Sequence, residues 1–275
     1  MSNENTQKSR TKESALETKP LYEKHGKWPR ALSVSDLTAN LYAVNMRIKD
    51  ACIRVNRSPS EVRLLPVSKT MDTDHIRMAY KAGCRYLGEN KIQEAWSKAQ
   101  NLSDLTDLQW SIIGHLQTNK AKYVAHFASE FQALDNLRIA EALDKHLQKE
   151  GKGLDVFVQV NTSEEESKYG LAPEAVPEFI QHLAPYQTLR VKGLMTLAEF
   201  SSQPERIRMC FSRLRCLRDQ LQNDTPQGVN LTELSMGMSG DFEIAIEEGA
   251  TVVRVGQAIF GARALPDEHY WPKEY

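Results

Sequence analysis

Eight short apolar runs rich in β-forming residues recur along the chain, at Val62–Val67, Tyr86–Gly88, Leu108–Ile113, Phe131–Leu134, Val156–Val160, Val191–Met195, Glu233–Met236 and Thr251–Val255. A segment of helical character separates each run from the next. Strands that are apolar on both faces need cover on both faces, and alternating helices supply it, so the pattern predicts a parallel sheet. Eight such units over about 215 residues predict a closed (β/α)8 barrel, with an open doubly wound sheet as the rival. The length of 275 residues matches one barrel with little to spare.

Ahead of the first strand a helix is predicted to about Asn56, capped by Ser35 or Asp36. Asp74 and Gly83 bracket another helix, and Gly249 follows one that contains Phe242, Ala245 and Ile246. Residues 1–33 are polar and rich in Lys, Glu, Ser and Thr, which reads as a flexible extension, leaving 34–275 for the barrel. Within the extension Leu21, Tyr22 and Trp28 are isolated bulky residues able to dock.

Composition removes several classes of function. Lys+Arg at 35 against Asp+Glu at 36 gives a net charge of -1, so no global field attracts nucleic acid or an anionic membrane. No apolar run approaches the roughly 20 residues of a membrane span, and the N-terminus lacks the apolar centre of a signal peptide. Cys52, Cys84, Cys210 and Cys216 form no CxxC pair and the seven histidines show no ligand spacing, so neither a disulfide framework nor a metal site is expected. A reducing cytoplasm fits this chain. GxGxxG and GxxxxGK[ST] are absent after the first strand.

In a barrel of this kind the chemistry sits where strands end. The first strand runs into Lys69, on the face shared by Leu65 and Val67, where loss of water favours the neutral, nucleophilic amine. That placement suits a Schiff base; a lysine snorkelling into water is the alternative. Asn90 and His115 end strands two and three and either face the barrel mouth or serve as a helix cap and a loop residue. Lys168 lies in a charged loop and reads as solvated. LSMGMSG at 234–240 and VRVGQAIFG at 253–261 end strands seven and eight. A helix beginning near Ser239, with Gly256 on the next strand, reads as a phosphate cradle, or else as an ordinary cap and a tight turn. Arg254 interrupts an apolar strand on the same face as Gly256, roughly 6.6 Å deeper. A buried arginine needs a partner, which is either a ligand or a strand carboxylate.

Together PVSKT, GENKIQE, IGHLQTNK, NTSEEESKYG, KGLMT, LSMGMSGDFEIAI and VRVGQAIFGAR resemble the pyridoxal phosphate homeostasis protein family, also called the proline synthetase co-transcribed family. The resemblance spans about residues 36–264. It implies a single (β/α)8 barrel like the N-terminal domain of alanine racemase, with pyridoxal 5′-phosphate (PLP) held as an internal aldimine. Carried over by position, Lys69 matches the Schiff-base lysine, Asn90 the residue facing the ring, and Arg254 the arginine beside the pyridine nitrogen. Ser235, Met238, Ser239, Gly256 and Gln257 match the segment around the phosphate. The family commonly has a small hydroxyl residue where this chain has Gln257, a change that leaves the backbone N–H in place. Gly240 stands where the family often has an acidic residue.

An arginine at the pyridine nitrogen opposes ring protonation and weakens the ring as an electron sink. The expected role is therefore non-catalytic, and the resemblance implies a monomeric PLP carrier or buffer in vitamin B6 homeostasis, with apo PLP-dependent enzymes as recipients. A PLP-dependent amino-acid racemase is the alternative. Racemisation needs acid–base groups on both faces of the substrate, and the sequence offers Lys69 with no evident opposing acid. A cofactor-independent lysine aldolase would use Lys69 but leaves Arg254 and the SMGMSG loop without a shared purpose.

Overall fold

The computed structural model describes residues 28–163 and 169–262. Among them, β1 (Arg63–Pro66), β2 (Tyr86–Glu89), β3 (Gln109–Ile112), β4 (Glu130–Leu134), β5 (Leu154–Gln159), β6 (Leu189–Met195), β7 (Val229–Ser235) and β8 (Val252–Val255) form one parallel sheet. Its order is β1-β8-β7-β6-β5-β4-β3-β2. The sheet curls until its two ends meet, where Val67 bridges to Gly88 and the Ser68 N–H donates to the Gly88 carbonyl at 3.0 Å. The expected barrel is the observed fold, and the open sheet is not.

Every residue of β4 and of β8 is buried, as a parallel strand between a barrel interior and a helix layer requires. The layer outside comprises α2 (Thr73–Lys81), α3 (Ile92–Asn101), α4 (Ala121–Phe127), α5 (Leu137–Glu150), α6 (Val176–Leu183), α7 (Pro204–Leu221), α8 (Phe242–Glu247) and α9 (Gln257–Phe260). Leu143 and Leu147 of α5 and Phe211 and Leu214 of α7 are buried on the helix faces turned to the core.

The eighth unit is short of cover, because α9 is a single turn of four residues. The 21-residue α1 (Val34–Arg54) makes up the deficit by packing beside α8 and α9. Arg47 holds the Glu243 carboxylate through two N–H groups at 2.7 and 2.9 Å, and the Asn40 amide donates to the Ile259 carbonyl at 2.8 Å. Trp28 packs under the Arg47 guanidinium, and its carbonyl accepts from the Ala262 N–H at 2.8 Å. Leu21 and Tyr22 lie outside the described residues.

Several boundaries move from their expected places for local reasons. α1 starts at Val34 because Ser33, not Ser35 or Asp36, is the cap: its hydroxyl accepts from the Asp36 N–H at 3.1 Å. Asp72, not Asp74, caps α2 and accepts from the His75 N–H at 2.9 Å. Gly83 and Gly249 follow α2 and α8 with φ of 105° and 98°, the backbone that glycine accepts without strain. Among the described residues no helix is long and apolar enough to cross a membrane, and no cluster of side chains suits a metal ion. All four cysteines are free thiols; burial pushes the Cys84 thiol up to about 11.

Candidate functional site

The barrel interior is not uniformly apolar. Arg254 on β8 is 3% exposed and lies beside Leu65 of β1 in the sheet register. Its Nη1 donates to Ser235 Oγ at 2.6 Å and its Nη2 to the Thr196 carbonyl at 2.7 Å. Ser235 Oγ then donates to Gln132 Oε1 at 2.6 Å, and Gln132 Nε2 donates to Glu130 Oε1 at 2.6 Å. The Glu130 carboxylate also takes Ser111 Oγ at 2.6 Å and Arg63 Nη2 at 2.6 Å. Every bond between Arg254 and Glu130 is donated in one direction, so each polarises the next.

Among the described residues Arg254 thus reaches a carboxylate only through two neutral side chains. Burial holds its guanidinium down to about 10, opposed by the charges of Asp241 and Glu130. Neither carboxylate hydrogen-bonds to it among the described residues, so the alternative of a direct partner on a strand carboxylate is not what the barrel contains. The arginine keeps donor capacity for a further acceptor.

At the rim above, the chain turns sharply after β1. The Met71 N–H donates to the Ser68 carbonyl at 3.0 Å, closing a four-residue turn with Lys69 and Thr70 at its centre. Thr70 carries φ of 68°, a value that turns usually give to glycine or asparagine. Lys69 is half-buried at this corner. Asn90, just past β2, is half-buried too, and its carbonyl lies so close to Gly114 that any side chain at 114 would collide with it.

The loops after β7 and β8 meet through Ser239, whose hydroxyl accepts from the Ala258 N–H at 3.3 Å. The helix expected to open near Ser239 begins instead at Phe242. Residues 238–241 are taken up by a turn in which Asp241 N–H donates to the Met238 carbonyl, while the Asp241 carboxylate accepts from the Met238 N–H. Burial pushes the Asp241 carboxyl up, and the Met238 N–H opposes the shift. Among the described residues the N–H groups of Ser239, Gly240, Gly256 and Gln257 make no hydrogen bond with the chain. Four unpaired donors at two adjacent strand ends form a set suited to an anion. A Cβ at Gly256 would come within 3.2 Å of the Val67 carbonyl, so glycine there lets β8 lie close to β1 as well.

The sequence-derived residues separate into groups. Ser235 sits deep, on Arg254 rather than with the loop amides; Ser239, Gly256 and Gln257 lie together at the ends of β7 and β8, with Met238 exposed beside them. His115 does not join them: it is exposed and stacks on the Tyr169 ring at 4.3 Å. Lys168 lies outside the described residues. Sequence reasoning passed over Thr196, Gln132 and Glu130. The signal was present in the last two, polar residues two apart in an otherwise apolar strand and therefore on one face.

Comparison with known proteins agrees with this fold. The model of the alanine racemase N-terminal domain matches residues 46–264. The chain is 42% identical over 217 residues to the pyridoxal phosphate homeostasis protein of Aquifex aeolicus, covering 79% of this chain and 94% of that one. PipY of Synechococcus elongatus, solved with PLP bound, superposes with a TM-score of 0.72 at 34% identity, covering 82% of this chain and all of PipY. Alanine racemase of Clostridium difficile shares the fold alone, with a TM-score of 0.65, 16% identity and 60% of its chain matched. With this identity, coverage and barrel, the chain belongs to the pyridoxal phosphate homeostasis protein family.

Proposed function

We propose that this chain binds PLP at the C-terminal rim of its barrel and holds it as a carrier or buffer for apo PLP-dependent enzymes, without turning over a substrate. The observation that carries the proposal is Arg254, a buried cation hydrogen-bonded to a hydroxyl and a carbonyl, with the unpaired amides of the β7 and β8 loops on the same side of the barrel. PLP supplies an aldehyde for a lysine amine, a pyridine nitrogen that accepts a hydrogen bond, and a phosphate.

The residues present fit each part. Lys69 offers the amine from the corner after β1. Arg254 faces the ring nitrogen, with Ser235 fixing the guanidinium, and Asn90 lines the side toward the ring. The N–H groups of Ser239, Gly240, Gly256 and Gln257 receive the phosphate, and Met238 borders it. Backbone donors make the Gln257 side chain unnecessary for that contact. A donor fixed at the ring nitrogen by Ser235 and the Thr196 carbonyl keeps a second proton away from it, which favours storage over carbanion chemistry. The naming of relatives at this identity as homeostasis proteins supports the same choice.

Borohydride reduction of the protein with PLP, followed by peptide mass spectrometry, is expected to place the pyridoxyl group on Lys69, and Lys69→Ala is expected to lose the visible band. A label on a different lysine, or a protein that stays colourless, defeats this assignment. α-Proton exchange on a chiral amino acid in deuterium oxide, far above that with free PLP, would favour the racemase instead.

A further inference from the structure

Behind the corner that carries Lys69, on the side facing α3, lies a buried charged cluster that the cofactor reading does not use. Lys98 of α3 is buried, and its ammonium donates to Ser68 O at 3.1 Å, Glu89 Oε1 at 2.8 Å and Glu94 Oε1 at 2.6 Å. Three N–H groups thereby meet three acceptors, and the ammonium is fully satisfied. Glu89 Oε1 also accepts from Ser68 Oγ at 2.7 Å, and Glu94 Oε1 accepts from the Thr70 N–H at 3.0 Å.

The residues on either side of Lys69 are therefore both tied to this cluster, Ser68 through its carbonyl and hydroxyl and Thr70 through its amide. Ser68 faces α3, so alternation sends the Lys69 side chain the other way, toward the barrel mouth. Thr70 sits in left-handed backbone that strains a β-branched residue, a conformation that persists only when its surroundings hold it. The cluster is costly in itself. Glu89 is fully buried, its Oε2 has no hydrogen-bond partner, and burial pushes its carboxyl up against the pull of Lys98. A simple apolar contact between α3 and β2 would avoid that cost.

We propose that Lys98, with Glu89 and Glu94, is a positioning device that holds the Ser68–Lys69–Thr70 corner so that the Lys69 amine is aimed at the aldehyde of PLP. The inference rests on the assignment of Lys69 to PLP, and its test separates the two. In the protein without PLP, competitive acetylation with acetic anhydride reads the accessibility and reactivity of Lys69 directly against the other lysines. Lys98→Met and Glu94→Gln are expected to change the Lys69 acetylation rate severalfold, and to slow appearance of the PLP band by about tenfold, as a displaced reacting group requires. Lys98→Arg, which keeps a cation and several donors, is expected to recover most of the rate.

Thr70→Gly removes the strain that the cluster holds in place. Placed in the Lys98→Met background it is expected to recover at least half of the lost rate. Lys98→Met leaves the Glu89 charge without its cation and is the variant at risk of misfolding. Glu94 is partly exposed, and its Gln variant preserves shape, so that variant decides the question where the other does not fold. Unchanged Lys69 acetylation and unchanged band formation in folded variants overturn the positioning role. A wild-type protein that forms no PLP band overturns the cofactor assignment instead, while the acetylation comparison still decides whether the cluster controls Lys69.

Discussion

Arg254 is legible in sequence because a charge in the middle of TVVRVG has few physical explanations. Its surroundings are not, since Ser235 and Gln132 stand 103 positions apart and meet only when the barrel closes. No local period links β4 to β7. Thr196 was hidden for another reason: it serves through its carbonyl, and a backbone group carries no mark in the sequence. Ser235 is the joint of this arrangement, accepting from Arg254 and donating to Gln132. Replacing it by alanine strands an N–H on one side and an amide oxygen on the other, in a site sealed from water. Ser235→Ala is expected to lower unfolding free energy by about 1–3 kcal/mol in urea titration with an unchanged slope, and to weaken PLP binding as Arg254 loses its guide. Full stability in this variant would mean that the interior chain contributes nothing net.

Elements were readable as to kind and order, because period and turn residues are local properties, and their ends were less so. β7 begins at Val229, four residues before the expected Glu233, because Val229 and Leu231 are buried while Asn230 and Thr232 face water, an alternation diluted by its polar half. The cap of α2 shows how a side chain two positions away takes a role assigned to its neighbour. The His75 backbone N–H, then the His75 side chain, hold the Asp72 carboxyl below its ordinary 3.8. A carboxyl lowered on folding stabilises the native state above its unfolded value and loses that contribution as pH falls through the lowered one. Asp72→Asn keeps a capping oxygen but no charge. The stability difference between wild type and Asp72→Asn is therefore expected at neutral pH and should fade as pH drops from 3.8 through the lowered native value, measured by urea titration at stepped pH. A difference independent of pH would assign the cap to geometry alone.

At the scale of the whole molecule the barrel is unevenly sewn. β5 and β6 pair from Leu154–Leu189 to Gln159–Met195 with one irregularity, whereas β1 and β2 are joined by the single bridge of Val67 with Gly88 and β7 and β8 by the single pair of Ser235 with Val252. Eight units in sequence foretold closure, yet not which pairs of strands would be joined most sparsely, since that depends on how the register shifts add up around the ring. One of the two sparsely joined pairs is the one whose ends carry Lys69 and Asn90. Amide hydrogen exchange is expected to be faster at Ser68 than at Phe157 or Val158, and PLP is expected to slow the Ser68–Thr70 segment more than any part of β5. Equal protection of the two regions would show a ring without a seam. The buried guanidinium of Arg254 has a consequence at this scale. A domain whose interior holds a cation short of acceptors gains stability from whatever supplies one, so its resistance to heat and proteolysis rises with the free concentration of that ligand. A barrel without that ligand is then the one that unfolds and is digested first.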